Sequence, residues 1–229
     1  MFEIHHGEEP EVLVEFRRLE PGPYTKDKVQ DLWDKFRSYA TQGGSKNILY
    51  KVLHNLQHGL CIYCEQKIFN YPEFGAPDCR DREIEHIKAK SVHPALMFAF
   101  NNLALSCKRP KGSTGRKNTT CGERKGDKEL PILPTDCFQH LFDLDMRNGK
   151  IISAKDISTD EKEKVDSCIS ILNLNQTDLC NKRLSYIQHL KEASEISMDV
   201  YHKYLGRITD EGEPFSPTFR QALRGRKKS

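Results

Sequence analysis

The sequence predicts an α+β protein: a small core of short strands, stapled by zinc, with helical regions before and after it. Three observations carry this expectation. Apolar residues recur at helical spacing near both ends of the chain, the middle breaks into short extended runs separated by loops, and four cysteines of that middle part are suited to one metal site. The expected division is a helical region over residues 1–57, a core over 58–150 and a second helical region over 151–229. A chain of 229 residues is long enough to bury a core of its own.

Taken in order, Val12-Leu13-Val14-Glu15-Phe16 reads as a strand-like run that ends at the turn signal Pro21-Gly22-Pro23. Val29, Leu32, Trp33 and Phe36 give Asp27 to Ala40 a helical spacing, and Gly43-Gly44 breaks that helix. A second helix is expected from Ser45, as N-cap, to about Gln57, with Ile48, Leu49, Val52, Leu53 and Leu56 on one side. Both helices read as packing for the central core.

Gly59 to Phe69 is expected as a hairpin arm, Tyr71 to Asp81 as a loop and Glu83 to Ile87 as a short strand. His93 to Phe100 fits a strand or a helical turn equally. Gly112 to Thr120 reads as a loop, and Leu130 to Thr135 as an extended connector. Two further helices are expected, over Asp160 to Ser170 and over Gln176 to about Tyr204, with Asn173-Leu174-Asn175 as the corner between them. The longer one sends Leu179, Leu184, Ile187 and Leu190 toward a core. The tail from Arg220 to Ser229 holds five basic residues and no acid, and is expected to fray.

Composition narrows the function classes. The longest apolar run, Ala95 to Phe100, is six residues, and the N-terminus has neither a basic stretch nor an apolar one, so the cytosol is expected and a membrane is not. The net charge of +3 is unevenly spread: Arg80 to Lys128 holds twelve Lys/Arg against five Asp/Glu, a local +7 that leaves −4 for the rest. A basic segment that also carries the candidate chemistry points to a polyanionic partner, nucleic acid.

Eight cysteines in a cytosolic protein are metal ligands and buried thiols before they are disulfides. Cys61-x2-Cys64 lets two sulfurs reach one ion from a tight turn, and Cys107 with Cys121 completes a four-thiolate zinc set. The thirteen residues between the latter two include five basic and no acidic side chains; a loop of that length costs little closure entropy. Cys79 is the competing ligand. Cys137, Cys168 and Cys180 have no partner at ligand spacing and read as core thiols.

Glu85-His86, with Asn102 further along, adds acid, base and amide. Hydrolysis of a phosphodiester needs an activated water and charge neutralisation at the phosphate. Glu85 can offer oxygen to a hard cation, provided the strand is irregular or turns there, while a neutral His86 can take a proton from water. Asn102 is suited to holding the imidazole and its loop. Singly these residues are weak signals; in the order Cys-x2-Cys, Glu-His, Asn-Asn-Leu, Cys, Cys-Gly-x-x-Lys-Gly they are not.

That order resembles the HNH, or ββα-metal, endonucleases. Over roughly residues 55 to 190 it is similar to the PtuB-type members of Septu and retron-linked anti-phage systems. The likeness includes Leu130-Pro131-Ile132-Leu133-Pro134-Thr135-Asp136, and Leu172-Asn173-Leu174-Asn175 with Leu179 and Arg183. The resemblance implies a zinc-stapled ββα-metal core, His86 as general base, Glu85 as a ligand to catalytic magnesium or manganese, and Asn102 as the central asparagine of the motif. It also implies a PtuA-type ATPase as partner, with a retron reverse transcriptase and its RNA-DNA product as further candidate partners. The target is DNA or structured RNA such as tRNA. The chain departs from the pattern at Gly122, where many members have Asn or His. Glu123 is the expected substitute ligand, with Asn118 or water as alternatives. Lys88, Lys90, Arg124 and Lys125 are expected phosphate contacts. The competing reading is a non-catalytic zinc-stabilised module that binds nucleic acid or protein.

Overall fold

The computed structural model describes residues 3–42, 45–68, 82–108, 119–136, 138–210 and 212–224. Cys79, Asn118, Cys137 and the Gly43-Gly44 pair lie outside the described residues, as do residues 225–229 of the basic tail.

The chain opens with three helices, α1 (Glu11–Leu19), α2 (Val29–Gln42) and α3 (Ser45–Leu56). The first occupies the segment expected as a strand. Val12, Leu13 and Phe16 lie at helical as well as strand-like spacing, and an apolar run this short does not separate the two. All three are buried, and Arg17 in the last turn grips Glu9 at 2.6 and 2.5 Å and donates to the Phe98 carbonyl at 2.8 Å. Val29, Trp33 and Phe36 of α2 and Leu49 and Leu53 of α3 turn inward as expected, whereas Ile48 is 53% exposed. Phe36 packs edge-on to Phe16 at 5.1 Å and lies 5.4 Å from Phe98. Such pairs add about 0.5–1.5 kcal/mol each beyond burial. This aromatic cluster binds the N-terminal helices to the loop that follows the candidate base His86.

The centre is built on β1 (Arg82–His86) and β2 (Leu103–Cys107), antiparallel with Glu85 opposite Ala104 and His86 opposite Leu103, and then the short helix α4 (Cys121–Lys125). The cysteine arm upstream is a tight turn joined by a bridge between Leu60 and Lys67, and Ile62 N–H donates to the Leu105 carbonyl at 3.0 Å. Gln57, fully buried at the end of α3, donates to the carbonyls of Leu60 and Leu105 and accepts from Leu105 N–H at 2.7 Å. The open side of β2 is thus satisfied by the arm and by one amide. Two 3-10 turns, Pro94–Leu96 and Phe100–Asn102, settle the segment that the sequence left open.

Next in the chain is a second hairpin that sequence reading did not anticipate, β3 (Phe142–Asp145) paired with β4 (Lys150–Ser153) across an Asn148-Gly149 turn. Then come α5 (Thr159–Leu172), α6 (Thr177–Ile196), α7 (Met198–Thr209) and α8 (Ser216–Arg224). Ser158 and Glu161 form a reciprocal capping box at the start of α5, and Asn173 ends it in the left-handed conformation at φ 51°. The long helix expected to reach Tyr204 is divided at Ser197, whose backbone is extended and whose hydroxyl accepts from Val200 N–H as the cap of α7. Leu179, Ile187 and Leu190 are buried, while Leu184 is half-buried. Phe219 and Ala222 are buried, so Arg220 and Arg224 belong to an ordered helix rather than to a frayed end. Buried apolar side chains from Ile4 to Ala222 form one cluster. No helix among the described residues is long and apolar enough to cross a membrane.

Candidate active site and metal centre

Two tight features bring four cysteines together: the arm that carries Cys61 and Cys64, and the start of α4, where Cys121 sits at φ 59°. With Cys107 from the end of β2, their sulfurs all lie within 4.8 Å of one another. Cys64 and Cys107 Sγ are 3.6 Å apart. A tetrahedral zinc with bonds of about 2.3 Å has sulfur–sulfur edges of about 3.8 Å, so the set fits such an ion. Cys107 N–H donates to Cys61 Sγ at 3.3 Å, the contact a thiolate attracts. Burial pushes Cys61 up, but hydrogen bonds from Cys107, Cys121 and Cys64 outweigh it and hold that thiol well below its ordinary value. The arrangement would hold a metal such as zinc. Cys168 and Cys180 are buried elsewhere, as core thiols are.

Glu85 and His86 end β1. Because the strand stays regular through His86, the two side chains leave on opposite faces. Glu85 faces the cysteine side. It is 7% exposed, its Oε1 accepts from Tyr63 Oη at 2.9 Å, and Lys125 Nζ lies 2.9 Å from the same oxygen. Its other oxygen abuts Gly122, where an added Cβ would collide with it. Gly122 thus makes room for Glu85, a reason for a glycine where a ligand was expected. Burial raises the carboxyl of Glu85 above its usual range, against the pull of Lys125 and Tyr63.

His86 faces the N-terminal helices, with the edge of Trp33 at 4.5 Å. Its Nε2 is 3.1 Å from the Met97 carbonyl, which can only accept. The proton therefore sits on Nε2 and the lone pair on Nδ1. Burial, then Lys90, pushes the imidazole down to about 3, so it is neutral across the physiological range. Asn102 closes the loop between β1 and β2: its Oδ1 accepts from Lys88 N–H at 2.8 Å, and its Nδ2 donates to the carbonyls of Lys88 at 3.0 Å and Leu96 at 3.1 Å. Beside that loop lies a groove of about 530 Å³, lined by His5, Lys88, Asn101, Asn102 and Thr135 among others.

Lys88 and Arg124 are exposed and Lys90 half-exposed, as phosphate contacts require. Lys125 is not: its side chain is 2% exposed, and its ammonium also donates to the carbonyls of His86 at 3.2 Å and Gly126 at 3.1 Å. That placement gives it a task inside the protein rather than the phosphate contact expected. Glu123 is exposed on α4. Among the described residues the four cysteines are the one cluster of three or more His, Cys, Asp or Glu at ligand spacing, so Glu85, His86 and Glu123 do not meet as one. As placed, Glu85 does not fit a divalent ion, because an ammonium already occupies its oxygen. Sequence reasoning missed Tyr63, Trp33 and the Met97 carbonyl; only Tyr63, lying between two ligand cysteines, carried a local signal.

No protein-family profile matches the chain. A curated protein of Vibrio cholerae serotype O1 biovar El Tor, named "Retron Vc95 putative HNH endonuclease", is 33% identical over 195 residues, 83% of this chain and 84% of that protein.

Proposed function

We infer from the HNH endonuclease family, to which this chain belongs, that the protein hydrolyses phosphodiester bonds in nucleic acid, either DNA or structured RNA such as tRNA. The observation that carries this reading is the Asn102 brace around His86. One amide satisfies both backbone groups of Lys88 and holds the loop that supplies the Met97 acceptor. A base restrained in one tautomer, with Nδ1 free to accept, is what abstraction of a proton from water requires. Lys88, Lys90 and Arg124 would position the phosphates, and the adjacent groove would receive the flanking nucleotides.

Zinc at Cys61, Cys64, Cys107 and Cys121 would act as a staple that fixes β2, the arm and α4. For the catalytic ion, magnesium or manganese is the expectation, with Glu85 and Glu123 as ligands; the ion pair between Lys125 and Glu85 does not support that assignment in this arrangement. The retron named for the Vibrio cholerae relative supports a role as effector of an anti-phage system in the cytoplasm. Within that role the Septu and PtuB likeness, a PtuA-type ATPase partner and a retron reverse transcriptase with its RNA-DNA product belong to this proposal. So does the division at residues 57 and 150, with the flanking helices as docking regions.

The alternative, a non-catalytic zinc-stabilised binding module, draws on the burial of both Glu85 and His86. Incubating the protein with duplex DNA and with total tRNA, in magnesium and in manganese, tests the choice. The nuclease gives His86-dependent products from one of them; binding without cleavage of either, under every metal condition and with its partner ATPase present, contradicts it.

A further inference from the structure

The Glu85 pocket is an oxygen-lined cradle with a cation already in it. Lys125 brings its ammonium to Glu85 Oε1 at 2.9 Å, to the His86 carbonyl at 3.2 Å and to the Gly126 carbonyl at 3.1 Å, so each of its three protons has an oxygen. Tyr63 Oη donates to that same carboxylate oxygen at 2.9 Å, and the far oxygen is closed off by Gly122. Both charged groups are almost fully buried. Carboxylate, carbonyls and hydroxyl are the ligand types a hard divalent cation selects. A divalent ion and an ammonium cannot share them, since like charges at this range in a low-dielectric interior repel strongly.

We propose that Lys125 is an internal plug: in the resting protein its ammonium fills the Glu85 cradle and excludes a divalent cation, which enters only when Lys125 withdraws. The covering element suits that task. Helix α4 is five residues long, entered through the left-handed Cys121 and ended by Gly126 at φ 53°. The zinc set holds α4 at its first residue, Cys121, whereas Lys125 stands at its last, beside the exposed Arg124. That the excluded cation is the catalytic one rests on the nuclease reading; the plug itself does not.

Manganese binding to the zinc-loaded protein, monitored by the loss of the free-ion paramagnetic resonance signal, tests it without any cleavage assay. Lys125→Met is expected to bind one manganese at least tenfold more tightly than wild type, and Glu85→Gln in the same chain is expected to abolish the gain. Equal binding by wild type and Lys125→Met, or a gain that survives Glu85→Gln, overturns the plug. Lys125→Gln, which keeps a polar head, replaces Lys125→Met should the latter fail to retain zinc. The wild-type chain gives an independent reading through acetylation of Lys125 mapped by mass spectrometry. Labelling should be slow without manganese and at least fivefold faster at saturating manganese, whereas full manganese occupancy with Lys125 still protected contradicts the proposal. Because neither readout involves cleavage, failure of the plug and failure of the nuclease reading are separable.

Discussion

The same pair of strands carries two sites of opposite character. On one side the four cysteines converge on a single point, each supplied by a tight turn or strand end, and their geometry already matches an ion. The other site is split: Glu85 and His86 are sequence neighbours that diverge, Glu85 toward the cysteine arm, where Tyr63 and Lys125 hold it, and His86 toward Trp33 and Met97. The first site is complete within its own backbone. The second is defined by side chains that separate elements place against it, Tyr63 from the cysteine arm, Lys125 from α4 and Trp33 from α2.

Breaking the cysteine side should have the largest effect. Cys61→Ser, or prolonged chelation, is expected to unfold the strand pair and α4, since structural zinc contributes on the order of 10 kcal/mol to folding in small metal domains. Loss of the antiparallel amide signals and of bound zinc by elemental analysis would register it; an intact fold without metal would erase the contrast between the two sites.

Asn102→Ala comes next. It leaves Lys88 N–H and two carbonyls without their partner, at roughly 1–3 kcal/mol for each buried group that water cannot reach. Urea denaturation should show a fall of a few kcal/mol with zinc retained, placing the loss on the His86 side alone.

Acid sharpens the comparison further. His86 titrates at about 3 in the folded chain against an ordinary value of 6.5, so the unfolded chain binds the extra proton between those values. Stability contributed by the neutral imidazole is therefore complete above pH 6.5 and falls as pH drops toward 3, by up to about 1.4 kcal/mol per pH unit. Wild type should lose about 2 kcal/mol more than His86→Asn between about pH 6.5 and about pH 5 in paired denaturation curves. Parallel curves would mean that the imidazole is not buried as described.

The smallest effect on the fold is expected at the surface. Lys88→Ala and Arg124→Ala should leave stability within about 0.5 kcal/mol while each lowers the salt dependence of nucleic-acid binding by about one ion. An unchanged salt slope in binding titrations would remove them from the interface.

How much of this was legible in the sequence obeys the same divide. Cys61-x2-Cys64 declares its geometry because two ligands on one tight turn have few ways to be arranged, and the helices α2, α3 and α5 arise from their apolar period. Asn102 was recognisable only in the company of the other motif residues. Val12 to Phe16 misled because five residues fit either period, and the break at Ser197 was hidden because a capping serine within a helical pattern looks like any polar surface residue. Lys125 was read as a surface cation because nothing local signals that its stem is buried; its partner stands forty positions earlier, on another element. Trp33 had a core spacing, but which group its edge would cover depends on how α2 packs.

The most direct measurement takes zinc content and nucleic-acid cleavage from the same preparations of wild type and His86→Ala. A base acting on water predicts one zinc per chain in both, and a loss of cleavage of about 10²-fold or more in the variant alone. Wild-type cleavage rates in a zinc-loaded, folded His86→Ala protein would contradict it.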